Sequence, residues 1–329
     1  MNKICKYALL IIASVALLAS CFKYKSESAD DIQLKILDAY LELNYGGQQL
    51  EKWDSGIYVL DKVEGTGAKP KNEGGAYIYL VNRYLDGTVL TGNAMKEELH
   101  RQLGIYSPTT LYTPVYYAIG KAGEESVMDK ILLSMKEGGS YELLVPSKLN
   151  SERGQLGRLN EILEIEMIEV VDDIMQYQID NLERFSEKYY DGVDSLKKGF
   201  YFKKIEEKPG ADTVAYDADG KIHYIGRYLN GKVFDTSIRD TARKHSIYDA
   251  SRDYSPLTIK WVDGEEKMVE NNSSYVPGFV MGVRDLKKGE KGVAFFWSDF
   301  GYGTAGKTDS YGGGIKPFMP LFFELWLSE

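Results

Sequence analysis

The chain has almost no cysteine. Only Cys5 and Cys21 carry a thiol, and both precede the bulk of the sequence. The remainder must therefore fold without disulfides. Histidine is nearly as scarce. His100, His223 and His245 stand far apart, without metal-ligand spacing and without a Cys-His, Ser-His-Asp or H-E-x-x-H arrangement. They read as structural or surface residues. Positive charge is in deficit: the net charge of −9 argues against a nucleic-acid partner. Long apolar runs are missing too, apart from Tyr7 to Leu18, which is short for a membrane-spanning helix.

What is present is a folded composition. Of 329 residues 43% are apolar and 12% aromatic, with 25 tyrosines. That excludes disorder and favours sheet-rich structure, at a length that suits about two domains. The N-terminus carries its own signal. Lys3 and Lys6 precede the apolar run, which ends in Leu18-Ala19-Ser20-Cys21. Residues 1–20 read as a signal peptide, and the Leu-Ala-Ser-Cys end resembles the bacterial lipobox. The resemblance implies that Cys21 is lipidated and becomes the mature N-terminus, with the polar residues 21–30 as a tether. The membrane is then a place of attachment and not a substrate.

Self-comparison shows the sequence saying the same thing twice. "DDIQLKILDAYLELNY" begins at Asp30 and "DDIMQYQIDNLERFSEKYY" at Asp172, each an acidic start followed by helical apolar spacing. "GIYVLDKVEG" (56–65) answers to "GFYFKKIEEKPG" (199–210), and both alternate as strands do. "YIYLVNRYLDGTVL" (77–90) answers to "KIHYIGRYLNGKVF" (221–234), where Asp/Asn-Gly between apolar runs marks a hairpin. Tyr-Ser-Pro occurs at 106–108 and at 254–256, and closing strands are expected at 161–171 and 320–329. The implied units are 31–171 and 172–329. Each is a helix followed by a mostly antiparallel sheet with one short internal helix, an α+β arrangement.

One segment matches nucleotide-binding patterns. Gly301, Gly306, Lys307 and Thr308 fit G-x-x-x-x-G-K-[ST], and Gly301, Gly303 and Gly306 fit G-x-G-x-x-G. Both motifs need a helix to follow, because phosphate sits on its N-terminus. Here three glycines and Pro317 follow, which do not start one. No nucleotide is expected, and no cofactor or metal. Asp240, Asp249 and Asp253, in a loop segment, read as solvated surface rather than a cation site.

The second unit resembles the FKBP-type peptidyl-prolyl cis-trans isomerases, from about Gly199 to the C-terminus. Four segments carry the resemblance in the family's order: "IHYIGRYLNGKVFDTS" (222–237), "YVPGFVMGVRDLKKGEK" (275–291), "FFWSDFGYGTAG" (295–306) and "GIKPFMPLFFELWL" (314–327). The resemblance implies two FKBP-like domains, each an antiparallel twisted sheet wrapped on a short helix and each preceded by an extra helix. It implies an aromatic proline pocket of Tyr224, Phe234, Val276, Phe279, Tyr302, Ile315 and Phe323. Phe234, Asp235 and Tyr302 fall on its catalytic positions; Tyr224, Val276, Phe279, Ile315 and Phe323 would bind substrate. Phe279 stands where the family most often has tryptophan, Lys307 where the flap often has histidine, and Lys316-Pro317 where Pro-Pro is common. Two insertions, 238–254 and 262–274, lie between strands and could narrow or cover the pocket. In the first unit Leu80, Leu90, Thr91 and Met128 occupy the matching positions, so it reads as a degenerate FKBP-like domain without activity. The implied function is a lipid-anchored isomerase acting on proline-containing polypeptides in the cell envelope and facing the periplasm. The alternative is a non-catalytic FKBP-like chaperone or envelope scaffold.

Overall fold

The structure, a computed structural model, describes residues 27–90, 92, 94–108, 110–120, 126–150, 157–215, 218–260, 269–270, 273–308 and 314–328. The expected signal peptide 1–20 and expected lipidation site Cys21 lie outside the described residues, as do most of the expected tether 21–30 and Thr91. The chain divides into two compact units, residues 1–58 with 144–161, and residues 59–143 with 162–329.

In the first unit helix α1 (Ala29–Tyr45) starts at Ser28, whose hydroxyl accepts from the Asp31 amide while the Asp31 carboxylate takes the Ser28 amide. That reciprocal pair satisfies two of the donors a helix start leaves free. Asn160, buried, ties this helix down: its backbone amide and its side-chain Nδ2 donate to Gln33 at 3.1 and 2.8 Å, and its side-chain Oδ1 accepts from the Ser147 amide.

The second unit carries most of one sheet and the whole of another. The first is built from β1 (Tyr58–Val63), β2 (Gly75–Tyr84), β3 (Val89–Leu90), β4 (Val115–Ala118), β5 (Ser140–Val145) and β6 (Glu161–Val171), with the short helices α2 (Glu97–Gln102) and α3 (Val127–Ser134) between strands. Helix α4 (Ile174–Tyr190) follows. The second sheet uses β7 (Ser195–Lys197), β8 (Phe200–Glu206), β9 (Asp219–Tyr228), β10 (Val233–Thr236), β11 (Leu257–Lys260), β14 (Lys291–Phe296) and β17 (Leu321–Leu327). Helix α5 (Arg239–Lys244) lies between β10 and β11. The pair β12 (Val269–Glu270) and β13 (Ser273–Ser274) precedes helix α6 (Pro277–Arg284), and the pair β15 (Lys307–Thr308) and β16 (Gly314–Ile315) precedes β17.

The two sheets share one strand order. The first sheet runs β1-β5-β6-β2-β3 with β4 also on β2; the second runs β7-β8-β14-β17-β9-β10 with β11 also on β9. Replacing β1, β5, β6, β2, β3 and β4 by β8, β14, β17, β9, β10 and β11 turns one into the other, with β7 as an addition. The repeated Asp/Asn-Gly hairpins are where the sequence places them, with Gly87 and Gly231 both at positive φ. Each repeat carries two short helices, however, not one. The apparent insertion 238–254 is duplicated as well: α5 corresponds to α2, the Arg243 guanidinium stacks on Tyr248 as Arg101 does on Tyr106, and Tyr248 stacks on Tyr254 as Tyr106 does on Tyr112. Tyr112 and Tyr254 each accept a backbone amide, from Ser107 and Asp249. The shared Tyr-Ser-Pro letters at 106 and 254 are therefore not equivalent positions. Tyr106 answers to Tyr248, and Tyr112 to Tyr254.

The second sheet is covered on both faces, which is why its strands read as nearly continuous apolar runs. Leu321, Phe323, Leu325 and Leu327 of β17 point with Ala294 and Phe296 of β14 to a core shared with α6. The alternate residues Phe322, Val293, Phe295 and Tyr201 face the other way, onto Leu182, Phe185 and Tyr190 of α4.

Candidate functional site

Five elements converge above the core side of the second sheet. Strand β9 presents Tyr224, β10 presents Phe234 and Asp235, α6 presents Phe279, β17 presents Phe323 and β16 presents Ile315. All the apolar residues of this set, together with Val276 and Tyr302, belong to one cluster. A bulge between Val233 and Asp235 breaks the β9–β10 register at Phe234 and re-aims it. Phe323 sits at the centre. It meets Phe234 edge-on at 5.7 Å, Phe279 edge-on at 5.3 Å, Tyr224 tilted at 6.3 Å and Phe296 stacked at 5.8 Å. Edge-to-face rings favour one packing over others and add to the burial term. Gly226 makes this approach possible: a Cβ there would lie 2.7 Å from the Phe234 ring and 3.0 Å from the Phe323 ring.

The rim is less covered than the floor. Tyr224, Phe279, Phe323 and Ile315 are buried, whereas Phe234, Asp235, Val276 and Tyr302 are partly exposed. Val276 is the N-cap of α6, with Pro277 in the first turn, so its own N–H takes no part in the helix ladder. Tyr302 accepts the Gly306 amide on its backbone carbonyl, and Lys307 lies over its ring at 5.4 Å. Burial, and then the Asp235 carboxylate, push the Tyr302 phenol above its ordinary value, so it remains a donor at neutral pH.

A residue that the sequence reading did not single out closes one side. Arg252, from the segment 238–254, donates to the Tyr224 hydroxyl at 2.9 Å and pairs with Asp235 Oδ1. The Tyr224 hydroxyl donates to Asp235 Oδ2 at 2.7 Å, and the Thr236 amide donates to Oδ1 at 2.9 Å. Both carboxylate oxygens are thus committed. Asp235 is held in place by these partners and orients Tyr224. Burial and then Asp235 raise the Tyr224 phenol well above its usual range. Burial opposes the charge on Arg252, but the Asp235 anion outweighs it and keeps the guanidinium charged. The expectation that the 238–254 segment covers the pocket takes this definite form, while most of 262–274 lies outside the described residues.

The surroundings place the other candidates. Lys307 and Thr308 form strand β15, paired with Gly314 and Ile315, where a phosphate-binding loop would open a helix. Asp249 and Asp253 accept from Ser251 and Ser255 in local turns, and Asp240 lies 3.9 Å from Arg243. Among the described residues no group of three His, Cys, Asp or Glu could hold a metal ion, and no helix is long and apolar enough to cross a membrane. In the first repeat Leu80, Leu90 and Met128 are half-buried aliphatic side chains, and the aromatic cup is not reproduced.

The family model for FKBP-type peptidyl-prolyl cis-trans isomerase matches residues 210–328. This segment, which holds the cup, is the part of the chain that is similar to the FKBP-type family. It is 32% identical over 108 residues to the peptidyl-prolyl cis-trans isomerase Mip of Chlamydia trachomatis, covering 33% of this chain and 32% of that protein. The macrophage infectivity potentiator of Trypanosoma cruzi is 26% identical over 132 residues, covering 40% of this chain and 53% of that one. The match therefore spans about a third to a half of these relatives. Among solved structures, FkpA from Escherichia coli is 23% identical with a TM-score of 0.31, covering 47% of this chain and 62% of that one.

Proposed function

We propose that the protein is a peptidyl-prolyl cis-trans isomerase whose site is the aromatic cup of the second repeat. The observation that carries this reading is the convergence of Tyr224, Phe234, Phe279 and Phe323, with Asp235 locked by Arg252 at one side and Tyr302 at the rim. Rotation about an Xaa-Pro bond breaks no covalent bond and meets a barrier of about 18–20 kcal/mol, mostly amide resonance. The planar amide carries charge separation and the twisted one has lost it. A dry apolar cup therefore favours the twisted state over the planar one. The prolyl ring rests against Phe234, Phe279 and Phe323, while the Tyr302 hydroxyl and the Val276 N–H donate to substrate carbonyls. The chain on one side of the bond is held and the other turns. This chemistry needs no nucleophile and no proton transfer, in keeping with an Asp235 whose oxygens are already occupied.

In this reading repeats 31–171 and 172–329 are two FKBP-like domains, the first degenerate. Residues 1–20 are removed, Cys21 is lipidated, and the protein works on proline-containing polypeptides in the cell envelope, on the periplasmic side. A second reading, an FKBP-like chaperone or scaffold without catalysis, is favoured by the covered floor: Tyr224, Phe279, Phe323 and Ile315 are each less than a tenth exposed. A protease-coupled assay of an Xaa-Pro peptide with the full chain separates the two. Isomerisation is expected to exceed the buffer rate at micromolar protein and to fall at least tenfold in Phe234→Ala and Tyr302→Ala. Catalysis that survives both substitutions places the site elsewhere.

A further inference from the structure

A second cavity adjoins the cup. It has a volume of about 380 Å³, and its walls come from both repeats: Leu111 and Pro114 before β4 and Ile168 on β6, facing Tyr228, Met319 and Pro320 around β9 and β17. Pockets of this size take a drug-sized group, and so one or two residues of a peptide. The cavity and the cup share one hydrophobic cluster. Leu111 and Tyr228 are buried in the same cluster as Tyr224 and Phe323, and Met319 packs against it. The Tyr228 ring lies 5.1 Å from Phe234, and its hydroxyl donates to the Gly314 carbonyl at the flap. Tyr228 thus borders the cavity and packs against the cup.

The first-repeat wall is held in place by the second repeat. Lys232, after the β9 turn, donates to the Thr110 carbonyl, and Lys316, at the base of the flap, donates to the Thr113 carbonyl. Phe318 meets Tyr116 edge-on at 4.9 Å. Burial lowers both lysines from their ordinary value. These contacts set Leu111 and Pro114 beside Tyr228 in a fixed position.

We propose that this cavity is a second substrate subsite, in which an apolar side chain of the same polypeptide whose proline occupies the cup docks between the two repeats. The proposal rests on the isomerase reading of the cup. It gives the first repeat a part in substrate selection despite its missing aromatic residues. The occupant is apolar because most of the wall is aliphatic or aromatic. It belongs to the cup's own substrate because Tyr228 lines the cavity and its ring also packs 5.1 Å from Phe234 of the cup.

The test uses the full chain and fluorescein-labelled peptides with one proline in an Ala/Ser background. Leu, Asp or Lys is placed in turn at positions two to five on either side of the proline. Wild-type protein is expected to bind the Leu peptide about tenfold tighter than the Asp peptide at one position, the discrimination a hydrophobic pocket supplies. Ile168 is 37% exposed, so Ile168→Glu is expected to leave the fold intact, as judged by circular dichroism, while moving the preference at that position from Leu to Lys. A merely structural role would not produce that reversal. Leu preference at no position, or a preference untouched by Ile168→Glu, overturns the proposal. So does self-association abolished by Ile168→Glu with no effect on peptides, because the occupant is then a second copy. A position-specific preference without isomerisation supports the subsite and defeats the isomerase reading. Isomerisation without any preference does the reverse.

Discussion

Arg252 decides how the site works at the scale of single residues. It joins the Tyr224 hydroxyl and the Asp235 carboxylate into a closed triangle. Arg252→Ala would leave Asp235 half-exposed and the Tyr224 hydroxyl free to rotate about its bond to Oδ2. We expect kcat/KM for an Xaa-Pro peptide to fall about tenfold, with a stability loss of about 1 kcal/mol in urea titration, since the pair is partly screened by solvent. Arg252→Lys should not rescue activity, because one ammonium lacks the guanidinium fork that serves two acceptors. An unchanged rate in Arg252→Ala would remove the triangle from the mechanism. The sequence did not reveal Arg252. The contact spans 17 residues of chain through a segment that resembles an insertion, and nothing in its spacing points back to Asp235. Tyr224, Phe234, Phe279 and Phe323 were named instead by the resemblance to the FKBP-type isomerases, whose segments 222–237, 275–291 and 314–327 contain them.

Elements were legible in proportion to their length. Strands β2 and β9 announce themselves by the Asp/Asn-Gly hairpin, β6 by alternation and β17 by a nearly continuous apolar run. Helices α2 and α5 have six residues each, too few for a helical period to stand out. Their loss from the sequence reading led to the mismatched Tyr-Ser-Pro pair, where identical letters fell on different turns of a shared segment. The flap base shows an element whose chemistry depends on its neighbours. Lys316 is buried, and burial, followed by repulsion from Lys232, lowers its ammonium to about 7. Between about 7 and the ordinary lysine value of 10.5 the unfolded chain holds a proton that the folded chain does not. Stability contributed by this residue should therefore rise with pH across that window and level off below it. Lys316→Met is expected to flatten the slope and to raise the melting temperature near pH 6, where the wild type must bury the charge. An identical pH profile in the two proteins would contradict this.

The strand order gives the account of the whole molecule. The two sheets share one topology, and among the described residues only the second carries an aromatic cup. The sequence announced that asymmetry, since Leu80 and Leu90 replace Tyr224 and Phe234 at matching places in the hairpin. It could not announce the cavity between the repeats, because Leu111, Ile168, Tyr228 and Met319 meet only after both sheets have formed. The central claim is that the cup of the second repeat turns Xaa-Pro bonds. Exchange NMR on a peptide with resolved cis and trans signals, in the presence of the full chain, tests it most directly. The account predicts cis–trans exchange cross-peaks at catalytic protein concentrations, vanishing in Phe234→Ala. Exchange no faster than in buffer, from folded protein that still binds the peptide, would contradict it.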